Sequence, residues 1–569
     1  MWEYIWLFFI CTPLFLLPTN YHNISIKTKI VFFAVFYILL YSNMGYAMQF
    51  LRIRINIFSV LVAIGIIDSL LFFYLIKNNK IKNIRNWNLK KYKNISKTDI
   101  VLTILVFLSF FLYYYNQSKF FSFLGWDSWY WFSGLNYIGD NGFLFHELSS
   151  KGASILQWYP DGFHYLWGIT FLPFPSMLSY NAVKIIIPIF GALTVLGLWE
   201  YFSDNKNYLL IASIIYYISM PHLIYRFSMF LPEPIGIFMI VFTCLVLKKY
   251  EFNNNVIMSM GIVLGLFTNI YHSTGLIIFF ILGIIVFLFK SDNSIKYLFF
   301  YLLGSIFFLI PYILDPKGFL EYNAHIVEVK QNPKLWNNWI KEGGIIFYRN
   351  HPPKYTPAST PLIGFPLSLT YLSLFFKDKL INKSILFSLF LMVFTLILYM
   401  SYYFYETSFA SRAVVFFSIS SALLFPSFVK LLEEIFNKHF KNKYKKIIFI
   451  FLILLTINRV LIVSFEYPNL TTRYITEESK MLLWMDDNLP LKSTVIIEIE
   501  QDFYIRDTRG LGTDVGHVTR ILYPRKIIFR KGDYNIKNPT YHLFYDKLYI
   551  EKDLIHREND LVLVEEDKK

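Results

Sequence analysis

Runs of about 20 mostly apolar residues recur along this 569-residue chain, and they constrain the fold more than any other feature. A helix needs about 20 such residues to cross the hydrocarbon core of a bilayer. Charged residues make up 16% of the chain, where soluble domains carry about 25%. The sequence therefore predicts an all-α polytopic membrane protein rather than a row of soluble domains.

About fourteen runs meet this length. They lie at residues 4–20, 29–50, 57–76, 99–115, 183–202, 208–224, 234–249, 256–271, 273–290, 295–314, 361–376, 384–404, 412–432 and 446–465. We expect the first three to form an N-terminal transmembrane module over residues 1–98 and the rest a transmembrane core over residues 99–465.

Basic residues between the runs predict the topology. Residues 77–97 hold eight Lys or Arg and no acid, which places them in the cytoplasm. Counting crossings from there puts the other basic turns inside as well, so the net charge of +15 reflects topology and indicates no nucleic-acid partner. Three long polar segments, 116–182, 315–360 and 466–569, then face outward. We expect a multi-pass plasma-membrane protein with an extracytoplasmic tail.

The tail, residues 466–569, predicts a small soluble α/β domain. Residues 475–490 have an acidic first turn and stop before Pro490, as a helix does, and residues 493–499 form a β-branched strand candidate. The Gly-rich segment 508–516 lacks the spacing of a phosphate-binding loop. The two cysteines, Cys11 and Cys244, lie in apolar runs and indicate neither a disulfide nor a metal site.

The first outer segment carries two aromatic stretches, residues 123–142 and 157–175. Their Trp, Tyr and Phe residues suit interfacial helices at headgroup depth. Such helices would hold the carboxylates of Asp127 and Asp161 where a lipid headgroup lies. Each acid also has a structural interpretation, because Asp is a favoured N-cap residue at a helix start.

The second outer loop contains Arg226 and Glu233, with Glu233 between two prolines at the mouth of a span. Burying a carboxylate at a span entrance is costly unless it has a partner or a function. His272 lies at the outer end of a helical hairpin, where a structural interfacial role is the alternative to a functional one.

This combination resembles a known enzyme class. An acid just after a transmembrane helix, an aromatic helix, a Tyr-Pro-x-Gly turn at residues 159–162, a second acid in the next outer loop and an outer C-terminal domain are similar to the GT-C membrane glycosyltransferases. The resemblance covers about residues 99–470. It implies a polyprenyl-phosphate-linked sugar donor, of which dolichyl phosphate is one lipid carrier, and a glycan, lipid or protein acceptor.

The resemblance also implies roles for individual residues. Asp127 and Glu233 correspond to the catalytic acids of the class, and Arg412 corresponds to an arginine that contacts the donor phosphate. From the chemistry of the reaction we also expect Arg226 and His272 to contact the donor phosphate, and Asp161, His164 and Tyr159 to position the acceptor or its loop.

Two departures from the class narrow the expected reaction. The tail has no Trp-Trp-Asp motif, which disfavours transfer of a whole oligosaccharide to asparagine. Metal-dependent members carry an Asp-x-Asp pair where this chain has one acid. No cofactor is therefore certain, and Mg²⁺ or Mn²⁺ held by Asp127 and Glu233 stays open.

The chemistry agrees with these roles. A sugar on polyprenyl phosphate has a good leaving group, so the enzyme needs a base for the acceptor hydroxyl and cations for the phosphate. We expect Asp127 to be the base and residues 315–360 to form a cover over the site. The alternatives are a flippase or transporter for lipid-linked polysaccharide, which should place charges along several helices, and a non-catalytic membrane assembly protein.

Overall fold

The structure is a computed structural model. It describes residues 2–17, 25–77, 96–118, 126–142, 161–314, 383–405, 415–427, 430, 476–497, 522, 525–529, 540–545, 554–558 and 561–565. The predicted spans at 361–376 and 446–465 and the predicted cover at 315–360 lie outside these residues.

Helices dominate the described chain. They are α1 (Trp2–Leu16), α2 (Ile26–Phe50), α3 (Ile57–Lys77), α4 (Lys97–Ser118), α5 (Trp126–Asn141), α6 (Gly162–Thr170), α7 (Ser176–Tyr201), α8 (Asn207–Ile218), α9 (Pro221–Phe227), α10 (Glu233–Lys249), α11 (Asn254–Thr268), α12 (His272–Lys290), α13 (Ser294–Gly304), α14 (Ile306–Leu314), α15 (Lys383–Tyr405), α16 (Val415–Ser427) and α17 (Thr476–Asn488).

The chain is a membrane protein by its helices. Five stretches are long and apolar enough to cross a bilayer, and they lie at Ile26–Phe50, Ile57–Lys77, Lys97–Ser118, Ser176–Tyr201 and His272–Gly304. Each predicted span within the described residues is helical, but several helices are shorter than a full crossing, and the spans at 208–224 and 295–314 are each divided into two helices. The count of fourteen crossings stays a prediction.

The stretch from His272 to Gly304 contains a chain reversal. A 3-10 turn at Ser291–Asn293 separates α12 from α13. Phe279 of α12 then stacks on Tyr301 of α13, with the ring centroids 3.7 Å apart. These two helices therefore pair as a hairpin, as the separate runs in the sequence predict.

Several basic turns meet at one end of the bundle. Lys27 and Lys249 both pair with the buried carboxylate of Glu200, and Lys248 pairs with Asp204 at 2.8 Å. These residues come from turns that the sequence assigns to a common side. We call this the basic end.

The first-loop helices α5 and α6 form where the aromatic stretches predict helices, but their environment differs from the expectation. Trp129, Trp131, Phe132 and Phe163 are buried within the protein rather than facing headgroups. Their partners come from helices distant in sequence, for example Tyr180 of α7, which stacks on Trp129 at 5.7 Å. Aromatic composition suits both a membrane interface and a core, so the sequence did not distinguish them.

The tail forms a helix and a mixed sheet, which confirms the predicted helix at 475–490 and the strand within 493–499. The described strands are β1 (Thr494–Ile497), β2 (Lys526–Phe529), β3 (Thr540–Tyr545), β4 (Leu554–Glu558) and β5 (Leu561–Glu565). Their order is β2-β1-β3-β5-β4, parallel around β1 and antiparallel around β5. Trp484 of α17 stacks on His556 of β4 at 4.1 Å, which joins helix to sheet.

Candidate functional site

Helix α5 places Asp127 in its first turn, because the helix begins one residue earlier, at Trp126. The side chain of Asp127 lies outside the described part. Its neighbour Ser128 is fully buried, and the backbone N–H of Phe230 donates to the Ser128 Oγ at 3.1 Å. The start of α5 therefore contacts the loop that leads into α10.

An aromatic cluster fixes α5 against α6 and the loop before α10. The Trp131 ring meets Phe163 edge-on at 5.0 Å, and Phe163 lies 5.0 Å from Phe230. Buried aromatic pairs of this kind add roughly 0.5–1.5 kcal/mol each beyond their burial. Sequence reasoning missed this cluster as a support for the site, since its members come from three separate segments.

Asp161 and His164 form a pair at the start of α6. Asp161 occupies the N-cap position, but its side chain makes no capping hydrogen bond. Its Oδ1 instead lies 3.6 Å from Nδ1 of His164, whose ring packs on Trp131 with a centroid distance of 4.6 Å. Asp161 therefore lies at the N-cap position, as predicted, but the prediction that its side chain caps the helix is wrong. His164 is 1% exposed, so this face of α6 points into the protein.

The backbone of α6 is held by residues that carried no signal in the sequence. The N–H of Gly162 donates to the carbonyl of Asn269 at 3.1 Å, and the N–H of Asp161 donates to the Tyr46 hydroxyl. A side chain on Gly162 would have no room, because a Cβ there would lie 2.5 Å from the Asn269 oxygen. Helices α2 and α11 thus position the Asp161–His164 pair.

Arg226 and Glu233 form the second charged pair. Arg226 closes the short helix α9 and Glu233 opens α10, and their side chains approach to 3.8 Å between Nη1 and Oε1. Glu233 is 8% exposed. A carboxylate in the first turn is stabilised by the N–H groups of α10 as well as by the arginine. Arg226 is thus the partner that burial of Glu233 at a span entrance requires.

His272 begins α12, directly beside α10. Its ring stacks on Phe308 with the centroids 5.7 Å apart. A Cβ on Gly236, one turn into α10, would lie 2.7 Å from Thr274 Oγ1 and 3.1 Å from the Tyr271 ring. The close approach that Gly236 permits places the N-termini of α10 and α12 together.

These contacts bring the starts of four helices, α5, α6, α10 and α12, together with the end of α9, into one region, which we call the N-terminal cluster. Asp161, His164, Arg226, Glu233 and His272 lie within it, and Asp127 lies on the first turn of α5. The basic end draws on opposite termini, including the last turns of α7 and α10. Tyr159 and Arg412 lie outside the described residues.

Chemically, the N-terminal cluster favours binding of an anion. Backbone N–H groups at helix starts and an arginine attract phosphate or a similar group. Among the described side chains, no group of three or more His, Cys, Asp or Glu is arranged to hold a metal ion. Because the Asp127 side chain is outside that set, use of a cation by Asp127 and Glu233 stays open.

Comparison with known proteins adds no further identification. No protein-family model matches this chain, and no curated protein matches it.

Proposed function

We propose that this chain is a GT-C-type membrane glycosyltransferase. It transfers a sugar from a polyprenyl-phosphate-linked donor to an extracytoplasmic glycan, lipid or protein acceptor. Asp127 is the general base. Arg226 and His272, with Arg412, bind the donor phosphate, and Glu233 orients Arg226.

The observation that carries this proposal is the N-terminal cluster itself. The first outer segment, the loop before α10 and the start of α12 contact one another, and each carries residues that the sequence selects. Random placement of structural caps gives no reason for the segment of Arg226 and Glu233 to contact both the start of α5, through Phe230 and Ser128, and the start of α12, through Gly236 and Thr274. An anion site of helix N-termini is what a lipid-linked phosphate requires.

In the proposed reaction, the acceptor hydroxyl gives its proton to the Asp127 carboxylate. The hydroxyl oxygen bonds to the anomeric carbon of the sugar, and the bond from that carbon to the phosphate oxygen breaks. The electron pair of the broken bond leaves with polyprenyl phosphate, which gains one negative charge. Arg226 and the first-turn N–H groups of α10 and α12 stabilise this charge.

The arrangement of charges favours an enzyme over the transporter alternative. Among the described residues, the ion pairs lie toward the ends of the bundle or in the tail, for example Glu200–Lys249 at one end and Arg226–Glu233 at the other. A polysaccharide pathway would need polar groups along the helices between them.

The tail supports the proposed topology. Asp486 of α17 contacts Asn136 of α5, as expected if the tail and the first polar segment share one side of the membrane. With residues 77–97 in the cytoplasm, we propose that this side is extracytoplasmic and that the protein lies in the plasma membrane.

The test is a transfer assay with the full-length protein in detergent. A panel of radiolabelled polyprenyl-phosphate hexoses is incubated with it and with envelope membranes as the acceptor source. We expect label to move from lipid to acceptor for at least one donor, equally in an Asp204→Asn control altered at the basic end. If the label stays on every donor and the protein translocates donor in proteoliposomes, the enzyme proposal is wrong and the transporter alternative is favoured.

A further inference from the structure

The N-terminus of α7 is capped by a residue of the tail. The N–H groups of Ser176 and Met177 donate to the two carboxylate oxygens of Asp487, at 2.8 and 3.2 Å. The helix cannot cap itself at this point, because its N-cap residue is Pro175 and makes no side-chain cap. A helix start needs such acceptors for its first N–H groups, and a cap contributes roughly 1 kcal/mol.

The preceding residue, Asp486, ties the tail to α5. Its carboxylate accepts from Asn136 Nδ2 at 2.7 Å, from the Ser176 hydroxyl, and from Arg525 Nη1 at 2.9 Å. The side chains of Asp486 and Arg525 are 5% and 2% exposed. Arg525 Nη2 also donates to the backbone oxygens of Asp486 and Leu489, each at 2.7 Å. Removing one member of such a buried network leaves the others unpaired, which costs more than a surface pair.

We name the contact of Asp486, Asp487 and Arg525 with Asn136 and Ser176 the tail junction. Asn136 is nine residues after Asp127 on the same helix, or about 13.5 Å along its axis at 1.5 Å per residue. The tail contacts this helix in its second half, and the Ser128–Phe230 hydrogen bond holds its start. The tail junction and the N-terminal cluster are therefore the two attachment points of one element.

We propose that the tail junction positions α5 for catalysis, with Asp486 and Asn136 as positioning residues, so that the tail is part of the catalytic unit rather than an independent binding module. This inference rests on the proposed function for its effect on turnover, but the junction itself can be tested without any activity. In the sequence, the segment WMDDN at residues 484–488 gave no sign of this role.

The structural test uses a single cysteine at Gly139 in a background of Cys11→Ala and Cys244→Ala. Gly139 lines a cavity of about 280 Å³ beside the junction, and a Cβ at this position meets no atom within 4 Å, so the probe is tolerated. Gly139 is half-buried and shares that cavity with Asp486 and Asp487 of α17. The rate at which a bulky 5-kDa polyethylene-glycol maleimide labels it should therefore rise when α17 moves away from α5.

Asn136→Ala is the principal variant, because it lies outside the tail and leaves tail folding intact. We expect it to raise the labelling rate at Gly139→Cys by about tenfold. This factor corresponds to a loss of about 1.4 kcal/mol in the free energy that keeps the junction closed. Asp486→Asn should do the same. The matched control is Asn488→Ala in the same helix, since Asn488 is exposed and its amide bonds to the Trp484 carbonyl of its own helix. An unchanged rate in Asn136→Ala would overturn the junction.

The kinetic test separates positioning from a merely structural contact. In Asn136→Ala we expect kcat to fall at least fivefold while the KM for donor stays within twofold, because the base is displaced and the phosphate contacts remain. Faster labelling with normal kcat would overturn the catalytic coupling. If the wild-type protein transfers no sugar, the proposed function fails, and the labelling result still decides whether the tail positions α5.

Discussion

At the scale of single residues, His164 illustrates how the site is built. Its ring is confined by Trp131 on one side and by Asp161 on another, and it is almost completely buried. A third side is closed by α5 at Gly134, where a Cβ would lie 2.2 Å from the imidazole. The sequence singled out His164 as a candidate, but it did not predict these partners, because they lie 3 to 33 positions away on two helices.

Gly134→Ala should therefore push the His164 ring out of place. Overpacking of a filled interior costs roughly 1–3 kcal/mol. We expect a lower Tm by tryptophan fluorescence in detergent and weaker sugar transfer. Gly139→Ala is the matched control on the same helix, since its Cβ has open space, and it should leave Tm unchanged or higher. Equal Tm values for the two variants would contradict the packing described for His164.

The Arg226–Glu233 pair gives a second prediction at this scale. If Glu233 acts through Arg226, the two residues form one unit and their effects do not add. We expect Arg226→Gln and Glu233→Gln each to lower kcat/KM by about tenfold, which matches loss of one charged contact. The kcat/KM of the double variant should be no lower than that of the less active single variant. A hundredfold loss in the double variant would assign Glu233 a role of its own, such as binding a cation.

At the scale of elements, the apolar runs determined where helices form, and they were predicted within a few residues. Partners were not predictable, since an apolar face fits lipid, another helix or an aromatic cluster equally well. Helix α5 is the clearest case. Its aromatic residues suited a headgroup interface, yet Trp129 and Phe132 pack on Tyr180 of α7.

Asp140 lies at the mouth of the cavity beside the tail junction, so we expect its titration to affect the contact. Burial, followed by the nearby carboxylates of Asp486 and Asp487, raises the pKa of Asp140, and the Arg525 guanidinium opposes the rise. Water at the exposed mouth screens these effects. Arg54 also reaches this turn, at the backbone oxygen of Asp140.

The sign follows from the raised pKa. A carboxyl that binds its proton more tightly in the closed junction favours closure at low pH, and closure weakens as pH rises through that pKa. We expect the labelling rate at Gly139→Cys, divided by the rate of the same thiol in an Asp140→Asn variant, to increase between pH 5 and pH 8. The ratio removes the pH dependence that ionisation of the thiol gives to both proteins. A flat ratio would show that Asp140 does not contribute.

At the scale of the whole molecule, the three N-terminal helices are less separate from the core than the sequence suggests. Trp6 of α1 donates to the carbonyl of Ile169 at 3.1 Å, and Tyr46 of α2 accepts from the N–H of Asp161. The tail reaches the same first-loop segment through Asp486. Contacts over more than 100 residues depend on the folded topology, and no local pattern in the sequence encodes them.

Topology can be tested on the intact cell. Single cysteines at Ser150, Asn332 and Lys537, in a background without Cys11 and Cys244, should react with an impermeant maleimide, since all three belong to segments that the sequence predicts to face outward. A cysteine at Asn88, in the basic segment that the sequence predicts to be cytoplasmic, is the internal control and should react only after permeabilisation. Labelling at Asn88 with protection at Ser150 would invert the topology and place the N-terminal cluster in the cytoplasm.

The central claim is that Asp127 is the base of a sugar transfer, and Asp127→Asn tests it most directly. Asparagine keeps the size and first-turn position of the residue but cannot take a proton, so kcat should fall by about a hundredfold or more while Tm stays within about one degree. Asp161→Asn should have a milder effect, and Asp204→Asn at the basic end none. An Asp127→Asn protein that transfers labelled sugar from polyprenyl phosphate at the wild-type rate would contradict the account.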